Sequence, residues 1–299
     1  MGSMMQSIQI TACDGLTSAT FMPQLGGMAY SIKMPDQSGS ERELLYMPED
    51  WQWQRKICGG WPFCFPICGR LADQGQSQYQ HDGQQYPMVI HGFAHQQAWQ
   101  VSAQSSDQIV LQLADNDMTR AIYPFSFELT LDYRIESGQL ICQQTYKNTG
   151  SQPMPYYAGF HPYFLIDPKY AKQDVQVDMS AHQRVLYNED LTDVMGQTQS
   201  LDFPVGLMEQ HVNESLHQVE PGQPIRLILP DGFQIAMSFT GAQKALFRYV
   251  QLYHIADQPF FCIEPWMAPP NSMNHSDRLH WLESGQTDTV TLILKAGQG

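Results

Sequence analysis

The chain has 299 residues, of which 42% are hydrophobic and only 15% are charged. Its 30 acidic and 16 basic side chains give a formal net charge of −14 at pH 7, a field that repels phosphate backbones and anionic lipids. Nucleic-acid binding and membrane-surface binding are therefore not expected, and the 14 Tyr, 14 Phe and 6 Trp argue against disorder.

The amino terminus shows no targeting pattern, and no apolar run reaches the 18 residues of a membrane-spanning helix. Residues 1–4 look like a cloning remnant that ends in a second start. The six cysteines lie mostly in hydrophobic segments of the sequence, and none belongs to a CxxC motif. This pattern predicts reduced, structural thiols and a cytoplasmic protein.

Short β-strands are predicted along the chain because apolar and polar residues alternate with a period of two. They fall at residues 7–12, 29–33, 109–113, 129–135, 140–147, 225–229, 233–239, 246–253, 260–265 and 289–295. Strands 129–135 and 140–147 are expected to form a hairpin, and short helices are predicted at 48–54 and 276–282. Since no linker divides the chain, residues 5–299 are expected to form one large, mostly antiparallel β-sandwich domain.

Two motifs place a basic residue beside a glycine. Arg70 ends the apolar run 59–70 directly after Gly69, which would let its guanidinium approach a ligand, although the composition alone favours an ordinary surface arginine. His91 closes a strand-like run before Gly92, a position more typical of a structural histidine.

Two further motifs place an ionisable residue among aromatic ones. If residues 156–164 form a strand, Tyr157, Gly159, His161 and Tyr163 share a polar face that could line a sugar-sized cleft, with a core histidine as an equal alternative. Glu264 is the only charge in residues 260–266. Because burial of a carboxylate is costly and raises its pKa, a role as a general base is favoured for this glutamate over the structural alternative.

In this order the four segments resemble the aldose 1-epimerase (galactose mutarotase-like) family. The matching text is GGWPFCFPICGR, HGFAHQQAW, YKNTGSQPMPYYAGFHPYF and FFCIEPW, and the resemblance runs from about residue 15 to the end. It implies an all-β supersandwich of antiparallel sheets, with few short helices, that holds a sugar in a cleft.

The resemblance also implies an isomerase that interconverts the α and β anomers of a free hexose. Glu264 matches the general base that takes the proton of the anomeric hydroxyl, and His161 matches the general acid that protonates the ring oxygen. Arg70 and His91 match residues that bind sugar hydroxyls. Neither a metal nor a cofactor is implied, and the expected partner is a monosaccharide.

Further binding residues are less specific. Trp61, Tyr163 and Trp266 could stack on the sugar or belong to the core. The aspartate that holds sugar hydroxyls in the family is expected near residues 208–214, and Asn213 is taken as its counterpart there, beside Glu209 and Glu214.

Two alternatives stay open. A hexose-6-phosphate epimerase is disfavoured because Cys58 and His95 stand where relatives have arginines, although Arg55 and Lys56 lie nearby. A non-catalytic sugar-binding module is disfavoured by the presence of both acid–base residues. The oligomeric state is not predicted.

Overall fold

The computed structural model describes residues 6–49, 58–275 and 278–299. The expected cloning remnant, residues 50–54 of the first predicted helix and residues 276–277 of the second lie outside this range. In the described part of the chain, no helix has the length and apolar character needed to cross a bilayer.

Strands are the main secondary structure of the described residues. In chain order they are β1 (Ile8–Thr11), β2 (Ser18–Met22), β3 (Met28–Pro35), β4 (Glu41–Glu43), β5 (Phe63–Cys64), β6 (Gln78–His81), β7 (Gln84–Pro87), β8 (Gln100–Gln104), β9 (Gln108–Ala114), β10 (Phe127–Glu136), β11 (Gln139–Asn148), β12 (Met154–Tyr156), β13 (Gly159–Phe160), β14 (Tyr163–Leu165), β15 (Gln176–Asp178), β16 (Ala181–Tyr187), β17 (Val194–Gln199), β18 (Val205–Gly206), β19 (Ser215–Val219), β20 (Ile225–Ile228), β21 (Phe233–Thr240), β22 (Tyr249–Tyr253), β23 (Phe260–Trp266), β24 (His280–Leu282) and β25 (Thr287–Gln298).

Two large antiparallel sheets dominate. One has nine strands in the order β18-β15-β20-β21-β25-β11-β10-β9-β8, and the other has eight, in the order β17-β16-β19-β22-β23-β13-β5 with β14 also paired to β23. A four-stranded sheet (β1 to β4) and two-stranded ribbons (β12-β24 and β6-β7) complete the described sheets. This arrangement confirms the predicted all-β sandwich class.

The nine-stranded sheet confirms the alternation found in the sequence. Along β10, Leu129, Leu131 and Tyr133 are buried while the residues between them are partly exposed. The predicted hairpin is also present, because β10 pairs with β11 and Glu136 lies opposite Gln139 at the turn. One predicted strand begins late: residues 244–246 form a 3₁₀ turn, and β22 starts only at Tyr249.

The predicted helices differ from the observed ones. The described end of the second predicted helix is wrong, because His280–Leu282 forms strand β24 and pairs with β12. The helix α1 (Asp117–Ile122) was not predicted; it begins after Asn116, whose side chain accepts hydrogen bonds from two backbone N–H groups of the first turn. Six residues are too few to show a helical period. Short 3₁₀ helices lie at Ala94–Gln96, Lys172–Asp174, Lys244–Leu246 and Ser272–Asn274.

Strand β23 lies inside the eight-stranded sheet, and all seven of its residues are buried. It pairs with β22 on one side and with β13 and β14 on the other. The sequence FFCIEPW is apolar at every position except Glu264, which suits a strand covered on both faces. Its one carboxylate is therefore carried into the interior by a rigid element.

Candidate active site

A cavity of about 770 Å³ opens beside β22 and β23. Its wall combines tyrosines and apolar side chains with a set of ionisable and amide groups. That set consists of Arg70, His91, His95, Gln96, His161, Glu214, Gln251, Gln258 and Glu264. Such a mixture of apolar surface and convergent polar groups is typical of a small-molecule site.

Glu264 lies in β23 and is only 2% exposed. Burial raises the pKa of this carboxyl well above its usual value, and nearby Cys64 and Glu214 raise it further. The indole of Trp266 acts in the opposite direction on the same pKa. An ionised Glu264 would therefore be a strong base.

His161 lies opposite Glu264, and the His161 Nε2 to Glu264 Oε1 distance is 3.4 Å. The imidazole stacks on the ring of Tyr163, with 4.7 Å between ring centroids and 9° between planes. The His91 ring meets it edge to face at 5.0 Å. A base and a potential acid thus face each other, with the imidazole held between two rings.

The predicted single strand over residues 156–164 is wrong, because β13 ends at Phe160 and β14 begins at Tyr163. Between them the His161 backbone N–H donates to the Pro62 carbonyl at 3.0 Å, and Pro162 has no N–H with which to continue a ladder. His161 and Tyr163 reach the cavity, while Tyr157 is fully buried and does not line it.

His91 has a left-handed backbone with φ of +63°. Its Nδ1 accepts a hydrogen bond from the Gly69 N–H at 3.1 Å, and its own N–H donates to the Gly69 carbonyl at 3.0 Å. Because Nδ1 is an acceptor, the neutral ring carries its proton on Nε2 and can donate to a ligand. Gly92 is required next to it, since a Cβ there would lie 2.2 Å from the Phe65 carbonyl oxygen.

His91, His161 and Glu264 also form a group of three possible metal ligands, whose ligand atoms lie within 4.8 Å of one another. A metal bound through His91 Nε2 would need the tautomer with its proton on Nδ1, which conflicts with the hydrogen bond from Gly69. The hydrogen bonding of His91 therefore fits a hydroxyl ligand better than a metal ion.

Arg70 is exposed at the cavity wall, and its guanidinium is 3.5 Å from the Asp190 carbonyl oxygen. Among the described lining residues it is the only Lys or Arg. His95 also lines the cavity, but burial lowers its pKa to about 4, so this ring is neutral at pH 7.

Two predicted binding residues lie elsewhere. Trp61 is 3% exposed and packs edge to face against Phe160 and Phe164, so it belongs to the core. Asn213 is exposed, and its carboxamide oxygen accepts the His254 N–H at 2.8 Å instead of facing the cavity. Trp266, by contrast, does line the cavity.

Glu214, the next residue after Asn213, does line the cavity. Its backbone is left-handed, with φ of +52°, directly before β19. Gln251 Nε2 donates to its carboxylate at 3.4 Å, and Gln251 Oε1 accepts the Tyr187 hydroxyl at 3.0 Å. The sequence held a signal for Gln251, which is a buried polar residue between Val250 and Leu252 in an otherwise apolar strand.

Comparison with known proteins identifies the family and supports the fold. The family model for aldose 1-epimerase matches residues 8–295. A solved structure from Synechocystis is 25% identical, with a TM-score of 0.83 over 99% of this chain and 97% of that one. A galactose mutarotase-like protein from Lactobacillus casei is 20% identical, with a TM-score of 0.81 over 97% and 100%. A galactose 1-epimerase from Lactobacillus acidophilus is 14% identical, with a TM-score of 0.74 over 99% and 100%. No curated protein matches the chain.

Proposed function

Because the chain belongs to the aldose 1-epimerase family, we propose that it is a mutarotase that interconverts the α and β anomers of a free hexose. The observation that carries the proposal is the buried pair of His161 Nε2 and Glu264 Oε1, 3.4 Å apart in the cavity wall. A cytoplasmic location is part of the proposal. It is supported by the six cysteines, all of them described and all free.

The proposed reaction is a proton transfer in two directions. Ionised Glu264 takes the proton of the anomeric hydroxyl while protonated His161 gives one to the ring oxygen, so the C1–O5 bond breaks and the aldehyde forms. Rotation about C1–C2 turns the carbonyl over, and closure with reversed roles returns both protons. The raised pKa of Glu264 supports the role of base, since a carboxylate with a higher pKa takes a proton more readily.

Sugar hydroxyls are proposed to bind to His91, Arg70 and Glu214. His91 offers a donor at Nε2, Arg70 offers its guanidinium, and Glu214 accepts beside Gln251. Trp266 is proposed to contact the C–H face of the ring, because the Tyr163 ring already stacks on His161.

The cation content of the cavity favours an unphosphorylated sugar. A phosphate would need a cluster of charged donors. The described wall offers Arg70 alone, since His95 is neutral at pH 7, and it holds two carboxylates. Arg55 and Lys56, which left the phosphate alternative open, lie outside the described residues.

Polarimetry on freshly dissolved α-glucose, α-galactose and glucose 6-phosphate tests the proposal. Wild type is expected to speed mutarotation of at least one free hexose far more than that of the phosphate, and His161→Asn is expected to lose about 10²–10⁴-fold of that rate. A wild-type protein that binds a hexose but leaves its mutarotation at the uncatalysed rate would instead be a sugar-binding module.

A further inference from the structure

Asn271 is a buried side chain beside the cavity wall that the proposed chemistry does not use. It is 2% exposed, and its backbone is left-handed with φ of +60°. An asparagine is one of the few residues that tolerate this conformation. The hydrogen bonds of the Asn271 side chain explain why a buried amide is kept in this backbone conformation.

The Asn271 carboxamide uses all of its hydrogen-bonding capacity. Its Oδ1 accepts the Ala72 N–H at 3.1 Å and the Asn274 amide at 2.8 Å. Its Nδ2 donates to the Ala72 carbonyl at 3.0 Å and to Asp193 Oδ1 at 2.7 Å. The Asn271 backbone N–H donates to the Arg70 carbonyl at 2.9 Å. One residue therefore holds the chain on both sides of Leu71.

The same residue also holds the loop that Arg70 contacts. Asp193, bound by Asn271, ends the loop that carries Asp190 and Leu191. The Asp190 carbonyl receives the Arg70 guanidinium, and Leu191 lines the cavity. Leu191 is itself left-handed, with φ of +56°, a conformation that a bulky residue keeps only when its surroundings impose it. Asn271 thus joins the backbone of Arg70 to the loop that meets its side chain.

We propose that Asn271 is a positioning residue that fixes Arg70 and the Leu191 loop at the wall of the sugar cavity. The proposal rests on the function proposed above, in which Arg70 binds a sugar hydroxyl. No other side chain reproduces its contacts. Aspartate lacks the two donors and would face the Asp193 carboxylate, and glycine keeps the backbone but loses all four side-chain bonds.

The test is a double-mutant cycle of Asn271→Gly and Arg70→Ala, read as KM and kcat for the preferred hexose. Each single variant is expected to raise KM by about tenfold, the order of one charge-assisted hydrogen bond, with a much smaller change in kcat. Because Asn271 acts through Arg70, the double variant is expected to be little worse than Arg70→Ala alone.

Asn148 is a matched control. It is 1% exposed, and its carboxamide makes three hydrogen bonds, to the Gln152 and Leu282 carbonyls and from the Gly150 N–H, none of them to a cavity residue. Asn148→Gly is expected to lower the thermal midpoint as Asn271→Gly does, with KM unchanged. A merely structural role of Asn271 would make the two variants alike in KM as well.

Asn271→Asp is a near-isosteric second variant in case glycine prevents folding. The introduced carboxylate would lie beside Asp193, whose Oδ1 is also 3.3 Å from His275 Nε2, so KM is expected to rise as pH increases and both carboxyls ionise. The proposal would be overturned if the KM increases of the two single variants multiplied fully in the double variant. It would also be overturned if KM stayed at the wild-type value in the Asn271 variants.

Failure of the proposed function is separable from failure of this inference. If wild type does not speed anomer exchange, the mutarotase proposal is lost, and the same cycle measured as hexose affinity by calorimetry still decides the role of Asn271. A wild-type protein without measurable hexose affinity would contradict both.

Discussion

At the scale of single residues, Glu264 occupies a place where its charge opposes folding. Burial raises the pKa of this carboxyl, so its ionised form is less favourable in the folded chain than in the unfolded one. Below the ordinary glutamate pKa, the Glu264 carboxyl therefore does not lower the free energy of unfolding. It lowers that free energy as the pH rises through the higher pKa of the folded state. A stable protein would not keep such a group without a use for it.

Removal of this charge is expected to stabilise the fold. Glu264→Gln should raise the thermal midpoint by about 2–4 °C per kcal/mol recovered, and the gain should grow from pH 5 to pH 8. Scanning calorimetry across that range measures it, with exposed Glu283→Gln as the control that should show no such trend. A midpoint for Glu264→Gln that is lower at every pH would mean that the carboxylate stabilises the fold.

Glu214 gives a second prediction at this scale, because its charge is one of the causes that raise the pKa of Glu264. Glu214→Gln should lower that pKa, so the acid limb of the kcat/KM profile should move to lower pH. KM should rise in the same variant, because a hydroxyl acceptor is weakened. An acid limb that stays in place or moves to higher pH would show that Glu264 is not the group that titrates.

The two glutamates differed in how well the sequence could predict them. Glu264 stands out because it is the only charge in an apolar strand. Glu214 could not be chosen over Asn213, because its direction depends on a left-handed backbone and on the pairing of β19 with β22, which brings it near Gln251. Trp61 could not be assigned to the sugar site or to the core from the sequence, because an aromatic residue has the same sequence pattern in both.

At the scale of elements, the site depends on close contact between β13 and β23. Gly159 pairs with Trp266, and a Cβ on Gly159 would lie 2.5 Å from the Cys68 sulfur and 2.7 Å from the Pro265 carbonyl oxygen. The Pro265 carbonyl belongs to β23 and cannot give way without a shift of the strand that carries Glu264. Alternation predicted the strands of this region, but it could not show the break at Pro162, which depends on partners distant in sequence.

Gly159→Ala is therefore expected to cost about 1–3 kcal/mol of stability and to lower kcat, because overpacking displaces β23 and with it the distance between Glu264 and His161. Urea unfolding and initial mutarotation rates measure the two effects. Gly297→Ala is the matched control, since Gly297 also lies in a strand but has open space around its Cβ position. Equal effects of the two alanines would refute the packing argument.

At the scale of the whole molecule, the alternation of the sequence was enough to predict the all-β class, while sheet order was not. β11 pairs with both β10 and β25, and only the first pairing is local. The low charge content and the net charge of −14 bear on the substrate, because they leave an anionic sugar without a favourable field.

If the substrate is uncharged, the reaction rate is expected to be independent of the salt concentration. The kcat/KM for the preferred hexose should stay constant within about twofold between about 20 and 500 mM NaCl, since screening changes only charge–charge interactions. Initial-rate polarimetry measures it, with a variant of an exposed lysine remote from the cavity, Lys295→Ala, expected to behave identically. A rate that climbs steeply with salt would indicate an anionic substrate repelled by the protein.

The most direct measurement of the central claim is the anomer exchange rate at equilibrium, followed by NMR saturation transfer between the α and β C1 protons of the preferred hexose. With Glu264→Gln shown to be folded by its thermal midpoint, the exchange rate per protein molecule is predicted to fall by about 10²–10⁴-fold from wild type. Exchange in Glu264→Gln at the wild-type rate would contradict Glu264 as the general base and with it the proposed mechanism.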